Sequence, residues 1–237
     1  MRKNAGFCGQ EAIAPGMSKL RGDWVVAFGV VALSLSTSVL AAPLTVQVLD
    51  RSGKPVPEVV VTFNDGRSTA VTPTNLSMTM DQMSMRFVPQ VLVVPTGASV
   101  KFPNSDSVSH QVYSFSPAKT FQISLYKNNS TSPAVLFDKP GLVVVGCNIH
   151  DSMVGYVYVT DAAGYGKTDA RGAVNWNVPN NGSVSITLWS PLLAEPEGNL
   201  KRTVQITANT AQQVEFKLSK ALRTNPQPQP RHTDWDY

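Results

Sequence analysis

The sequence predicts an all-β protein whose core is supplied by paired sheets, and three observations lead there. Apolar residues fall in short runs of about four to eight, several of them alternating strictly with polar ones. The 16 Gly and 17 Pro sit mostly between those runs, where turns belong. After the N-terminal region, no window long enough for a helix carries the 3.6-residue apolar period. Hydrophobic residues make up 42% of the 237, and charged residues 15%. This is enough apolar side chain for one large domain or two small ones.

LTVQVLD (44–50) alternates, DRSGKP (50–55) is a turn, and VVVTF (59–63) is a second strand before an NDG turn. Residues 67–82 are rich in Thr, Ser and Met without a clean period and read as a crossing segment. Met83, Met85 and Phe87 are spaced by two, then VLVV (91–94) and VKF (100–102) follow. The polar turn PNSDS leads into HQVYSF (110–115). FQISLY (121–126) alternates, which puts Phe121, Ile123 and Leu125 on one face. LVVVGC (142–147) and VGYVYVTD (154–161) flank a short polar stretch. About seven strands in roughly 80 residues imply a sandwich or partly open barrel.

Farther on, 165–190 holds two or three strands with Gly turns, and TVQITANTAQQVEFKL (203–218) has the pattern of a final hairpin. The phrases VLDRSGKPVPEVVVTF and TDARG resemble a small seven-stranded β-sandwich, the carboxypeptidase regulatory domain, which opens on D-x-x-G-x-P and later carries T-D-x-x-G. Here the two phrases stand at 48–63 and 168–172. The resemblance implies one small sandwich, 44–63 with 164–218, interrupted by another at 83–161. Insertion at a surface turn is cheap because the ends of the turn are already close. The alternative is that 44–63 adds strands to the inserted unit. Residues 219–237, ending NPQPQPRHTDWDY, are Pro- and Gln-rich and read as a disordered tail.

Trp24 to Leu40 is an apolar run behind Lys19 and Arg21, closing on Ala41 and Ala42, the pattern of a cleaved secretory signal. A retained membrane anchor is the alternative, since the run is near the minimum for a span. Met17 is a second possible start, leaving a signal of conventional length. Residues 1–41 carry four of the twenty Lys and Arg and two of the sixteen Asp and Glu, so the remainder has a formal net charge of +2. No Lys/Arg cluster is left for a nucleic-acid surface. The expected compartment is the periplasm, with no stable membrane insertion after the signal is removed. Cys8 leaves with the signal, and Cys147 then has no internal disulfide partner in an oxidising space. It is buried and inert, paired to another chain, or held by a metal.

GCNIHDSM (146–153) sets Cys147, His150 and Met153 in a C-x2-H-x2-M pattern between two strands. One thiolate, two imidazoles and a weak axial thioether make a type 1 copper site, whose soft and borderline donors suit both copper oxidation states. Of the three histidines, His232 lies in the tail. His110 opens a strand just after a polar turn, a position that places it at the rim of a sandwich beside Cys147. Zinc also accepts one thiolate with two imidazoles. Singly, Cys147 reads as a core residue and Met153 as packing.

The segment from about Met83 to Asp161 resembles a small blue copper protein of the cupredoxin superfamily, a Greek-key β-sandwich. The C-x2-H-x2-M spacing is closer to amicyanin than to plastocyanin. VLVVPTGASVKFPNSDSVSHQVYSFS and FDKPGLVVVGCNIHDSMVGYVYV also resemble cupredoxin-like methylamine utilization proteins. The resemblance covers less than half of the mature chain and implies one copper ion on His110, Cys147, His150 and Met153. Ser109 stands where many relatives carry another histidine, and Gln111 where plastocyanins commonly have Asn. Asn104, Gln111 and Asn148 are candidates for hydrogen bonds around the site, and Ile149 and Val154 for a weak docking patch.

No Ser-His-Asp set, HExxH or phosphate-cradling Gly loop is present, and three histidines are too few for a type 1 site plus a three-copper centre. The expected function is therefore that of a non-enzymatic one-electron carrier between periplasmic redox proteins. A copper-binding, delivery or docking module is the competing class, favoured by the extra β-unit. The N-terminal pattern makes a direct prediction: intact-mass analysis of the exported protein should show loss of everything through Ala41 or Ala42. An intact N-terminus in the membrane fraction would refute it.

Overall fold

Alternating strands bury one face only when another layer covers it, and two hydrophobic clusters in this chain meet that requirement. The computed structural model describes residues 42–66, 76–127, 132–178, 181–194, 199–207 and 210–224. These lie in one compact unit, Val39–Tyr237, while the other unit, Met1–Ser38, lies outside the described residues. The predicted signal segment and the end of the predicted tail, with His232, also fall outside them. Among the described residues every regular element is a strand, and no helix is long and apolar enough to cross a membrane.

In chain order the strands are β1 (Ala42–Leu49), β2 (Val60–Asn64), β3 (Ser77–Thr79), β4 (Asp81–Gln82), β5 (Phe87–Val88) and β6 (Val91–Pro95). Then come β7 (Ala98–Lys101), β8 (His110–Ser116), β9 (Lys119–Tyr126), β10 (Val135–Phe137), β11 (Gly141–Cys147) and β12 (His150–Thr160). The last are β13 (Gly164–Lys167), β14 (Ala173–Val178), β15 (Gly182–Trp189), β16 (Asn199–Ile206) and β17 (Gln212–Lys217). The sheets run β6-β12-β11-β8-β9, β10-β7-β3, β13-β2-β15-β16, β14-β1-β17 and β4-β5.

The first cluster joins the five-stranded sheet to β10 and β7. Val94, Val112, Val143, Val145, Val157 and Val159 meet Val100, Phe102 and Phe137, all almost wholly buried. Cys147 and Met153 belong to this cluster. The two faces of a strand are visible in β12, where Met153, Val157 and Val159 are buried while Val154, Tyr156 and Tyr158 are only half-buried.

The second cluster joins Leu44, Val46 and Val48 of β1 and Phe216 of β17 to Val61 and Phe63 of β2 and Val184, Ile186 and Leu188 of β15. β1 pairs antiparallel with β14 and parallel with β17, and β2 pairs with β13 and β15. The turns at 50–55 and 168–172 meet across this cluster. Asp50 Oδ1 accepts from the amides of Ser52 (2.8 Å) and Lys54 (2.9 Å), and Asp169 Oδ1 accepts from those of Arg171 and Ala173, each at 2.9 Å. The amide of Val48 donates to Gly172 O at 2.8 Å, and the buried Thr168 hydroxyl donates to Val56 O at 2.8 Å. A third, smaller cluster joins the two regions: Val60 and Trp189 pack against Val91 and Val93, with Tyr156 and Tyr158 beside the indole at ring separations of 5.5 and 5.4 Å.

Four sequence expectations need correction. Leu125 does not share a face with Phe121 and Ile123. The β8–β9 register shifts between His110 and Val112, and Leu125 is turned out to 57% exposure while Tyr126 packs inward. β16 and β17 do not form a hairpin with each other: β16 pairs with β15, and β17 crosses to β1 in another sheet. Met83 and Met85 are not successive residues of a strand but belong to a tight turn before β5, and both are exposed. The stretch 146–153 is mostly strand, because β12 begins at His150 and leaves only Asn148 and Ile149 in the turn.

Gly172 and Gly53 both adopt left-handed backbone, φ +71° and +86°. A Cβ at Gly172 would meet the Val48 carbonyl oxygen at 2.5 Å, whereas nothing lies within 4 Å of one at Gly53. Urea denaturation should therefore show Gly53→Ala losing about 1–2 kcal/mol, the left-handed penalty alone. Gly172→Ala should lose clearly more, because backbone must move. Equal losses would mean that the two turns are not locked together.

Candidate metal centre

β8 and β11 are neighbours in the five-stranded sheet, and β11 turns directly into β12. The start of β8, the end of β11 and the start of β12 therefore reach one rim, and each bears one ligand-type residue. His110 is fully buried at the start of β8, Cys147 is 3% exposed at the end of β11, and His150 is half-buried at the start of β12. Cys147 and His150 stand opposite each other where the β11–β12 register shifts after Gly146. The bulge turns the strand end locally, as such irregularities do beside functional sites.

Cys147 Sγ lies 3.8 Å from His110 Nδ1 and 3.7 Å from His150 Nδ1, and the two rings are 4.9 Å apart at 60°. All three donor atoms fall within 4.8 Å of one another. With typical metal–sulfur and metal–nitrogen bonds of about 2.3 and 2.0 Å, donors 120° apart on one ion stand roughly 3.7 Å from each other. The observed sulfur–nitrogen spacings match that value. These three residues can hold a metal ion, and their thiolate and imidazole donors are a soft-to-borderline set. Met153 is fully buried on β12 in the same hydrophobic cluster as Cys147.

The electrostatics favour a metal-ready sulfur. Burial pushes the Cys147 thiol up, but the His110 ring, the backbone amides of Gln111 and Ile149 and the His150 ring outweigh it. They bring the thiol down to about 6 from 9.0. Burial alone would lower His110, yet the Cys147 thiolate and the Asp106 carboxylate raise it above the ordinary imidazole value.

Asn104 is 2% exposed, and its amide donates to Val108 O (2.9 Å) and Tyr126 O (3.1 Å) while its Oδ1 accepts from the Asp106 amide at 2.9 Å. It braces the 104–108 turn that delivers His110. Gln111 acts through its backbone amide at Cys147, while its side chain lines a shallow hollow with Asn148, Tyr113 and Phe115. Ile149 is half exposed in the turn between Cys147 and His150. Val154 lines a different hollow, about 290 Å³, with Tyr113, Phe115 and Val144. A larger cleft of about 710 Å³, lined by Thr62, Thr160, Ser185, Thr187 and Thr203, includes none of the ligand-type residues.

Sequence reasoning missed Asp106. Its Oδ2 lies 2.7 Å from His110 Nε2, so the ring donates there and leaves Nδ1 toward the sulfur. A carboxylate four residues before the histidine, inside PNSDS, was the available signal, but only the folded turn aims it.

The thiol shift is directly measurable. The ultraviolet thiolate absorbance of metal-free protein should titrate with a midpoint of about 6. The sulfur should be protonated below that midpoint and anionic above it. Removing the first of the opposing donors, in His110→Ala, should move the midpoint up toward 9.0. An unshifted midpoint in the wild type would contradict the geometry. Cys147→Ser supplies the blank.

No protein-family model matches the chain, and neither does any curated protein. Among solved structures it is similar to a copper-containing nitrite reductase from Thermus scotoductus SA-01, at 25% identity and TM-score 0.34. That match covers 40% of this chain and 24% of the reductase. It is also similar to a purple cupredoxin from Nitrosopumilus maritimus, at 22% identity and TM-score 0.32 over 35% of this chain and 99% of that one. A reduced variant of amicyanin matches at 19% identity and TM-score 0.34, over 42% of this chain and 98% of that one. The likeness is to cupredoxin-like folds, at low identity and over part of the chain.

Proposed function

We propose that this is a periplasmic type 1 copper protein that carries single electrons between redox partners. The observation that supports it best is the convergence of Cys147, His110 and His150 at spacings suited to three donors on one ion. Copper would supply the one-electron couple. The chain would hold it with the Cys147 thiolate and the two Nδ1 atoms, and the buried Met153 thioether would be a further, weak donor. Burial of Cys147 and Met153 excludes water from the sulfur, and the two-residue turn restrains His150 against rearrangement. Both limit the reorganisation that electron transfer must overcome.

Exposed apolar side chains sit on the segments that carry the ligands: Val108 at 43% and Ile149 at 50%. A small contact of that kind suits brief encounters with another redox protein. On this reading the chain has no catalytic residue of its own. We also read 44–63 with 164–218 as one unit interrupted by the copper-binding unit, in keeping with the pairing of β1 and β2 with β13, β14, β15 and β17. That additional unit favours the second reading, a copper-delivery or docking module.

Visible absorption, electron paramagnetic resonance and cyclic voltammetry of copper-loaded protein test the proposal. The wild type should show a strong thiolate-to-copper band and fast reversible cycling. Cys147→Ser should lose the band, and Met153→Leu should keep copper and colour at a raised potential, because losing a weak donor disfavours Cu(II). A wild type without the band refutes the site, and tightly held Cu(I) that resists oxidation favours delivery over transport of electrons.

A further inference from the structure

Ser84 and Met85 have φ of 55° and 51°, both in the left-handed region. They form a two-residue turn closed by Met83 N to Arg86 O at 3.0 Å and Arg86 N to Met83 O at 3.2 Å. Hairpin turns of this type need positive φ at both central positions, and Asn-Gly is the pair that meets the need readily. Ser-Met does not. L-residues hold such a conformation only when surrounding structure imposes it.

The Asp106 carboxylate imposes it. Oδ1 accepts from the Ser84 amide at 2.6 Å, and Oδ2 accepts from the Met85 amide at 2.8 Å. The same Oδ2 takes the His110 Nε2 contact at 2.7 Å. Asp106 is itself fixed, since its amide donates to the braced Asn104 side chain. One carboxylate, only 12% exposed, therefore holds three donors from two segments more than twenty residues apart in sequence. Met83 and Met85, in the turn that the carboxylate holds, present 46% and 40% of their surface to solvent.

We propose that Asp106 is a positioning residue for the metal centre, and that it makes the orientation of His110 and the left-handed Met83–Arg86 turn one coupled unit. The imidazole keeps Nδ1 toward Cys147 because Nε2 is occupied. The turn keeps its shape because its two central amides are occupied by the same group. A contact made at the exposed methionines acts on the carboxylate that orients the ligand. The effect on a metal rests on the copper reading, whereas the coupling itself is a property of the metal-free chain.

The experiment separates a clamp from a mere turn support. Asp106→Ala and Asp106→Asn are made alone and together with Ser84→Asn and Met85→Gly, a pair that takes up the turn unaided. In metal-free protein, nitrogen NMR of the His110 ring and amide hydrogen exchange at residues 84 and 85 are recorded. Asp106→Ala should lose the fixed proton on Nε2 and lower amide protection at both positions. The Asn-Gly pair should restore thermal stability without restoring the ring signature. His110→Ala should lower Met85 amide protection, because the carboxylate oxygen that accepts from that amide loses the ring that helps to fix it. In copper-loaded protein, Asp106→Asn should raise the potential, because removing a nearby negative charge disfavours Cu(II).

If the Asn-Gly pair restores the His110 signature in Asp106→Ala, the carboxylate serves only the turn and the positioning role is overturned. If His110→Ala leaves Met85 protection unchanged, the coupling is overturned. The ring and exchange measurements need no metal, so a failed copper site and a failed clamp give different results.

Discussion

The Cys147 thiol sits inside a hydrophobic cluster and is nonetheless brought down to about 6, and much of this end of the molecule is arranged around that constraint. A buried charge with no partners is too costly to persist, so the thiolate requires donors that converge on it. They come from three places: the His110 ring and the Gln111 amide at the start of β8, the Ile149 amide in the turn, and the His150 ring at the start of β12. None could be supplied by Cys147's own strand. The site therefore exists only where the ends of β8, β11 and β12 share a rim.

Sheet order brings those ends together, and local devices hold them. The β11–β12 turn is as short as a hairpin allows, which ties His150 opposite Cys147. His110 depends on a longer chain of support. Asn104 braces the preceding turn through two carbonyls, the Asp106 amide rests on Asn104, and the Asp106 carboxylate takes the imidazole. Ligands mounted on strand ends with restrained rotamers keep a tighter geometry than ligands on a free loop.

The contact between the two larger hydrophobic clusters uses the other face of the same sheet. Tyr156 and Tyr158 of β12 turn outward to Trp189, while Met153 and Val157 of that strand turn inward. Period-two alternation lets one strand serve both functions without compromise, since the faces belong to different residues. The Lys167 ammonium adds a polar tie, donating to Val91 O at 3.2 Å and pairing with Glu58.

Short apolar runs bounded by turn residues determined by themselves that β8, β11 and β12 are strands, because run length and turn chemistry are local properties of the chain. Residue chemistry likewise singled out Cys147, His150 and His110, since only thiolate and imidazole side chains could form such a group here. Tertiary structure decided what depends on residues distant in sequence. The bulge in the β8–β9 pairing turned Leu125 outward, and long-range parallel pairing carried β17 away from β16 to β1. Asp106 was invisible because a carboxylate in a polar turn is ordinary. Its importance comes from direction, which backbone dihedrals of the folded turn set. The left-handed Ser84–Met85 turn was hidden for the same reason: neither residue prefers that conformation, and only a carboxylate brought from another segment holds them in it.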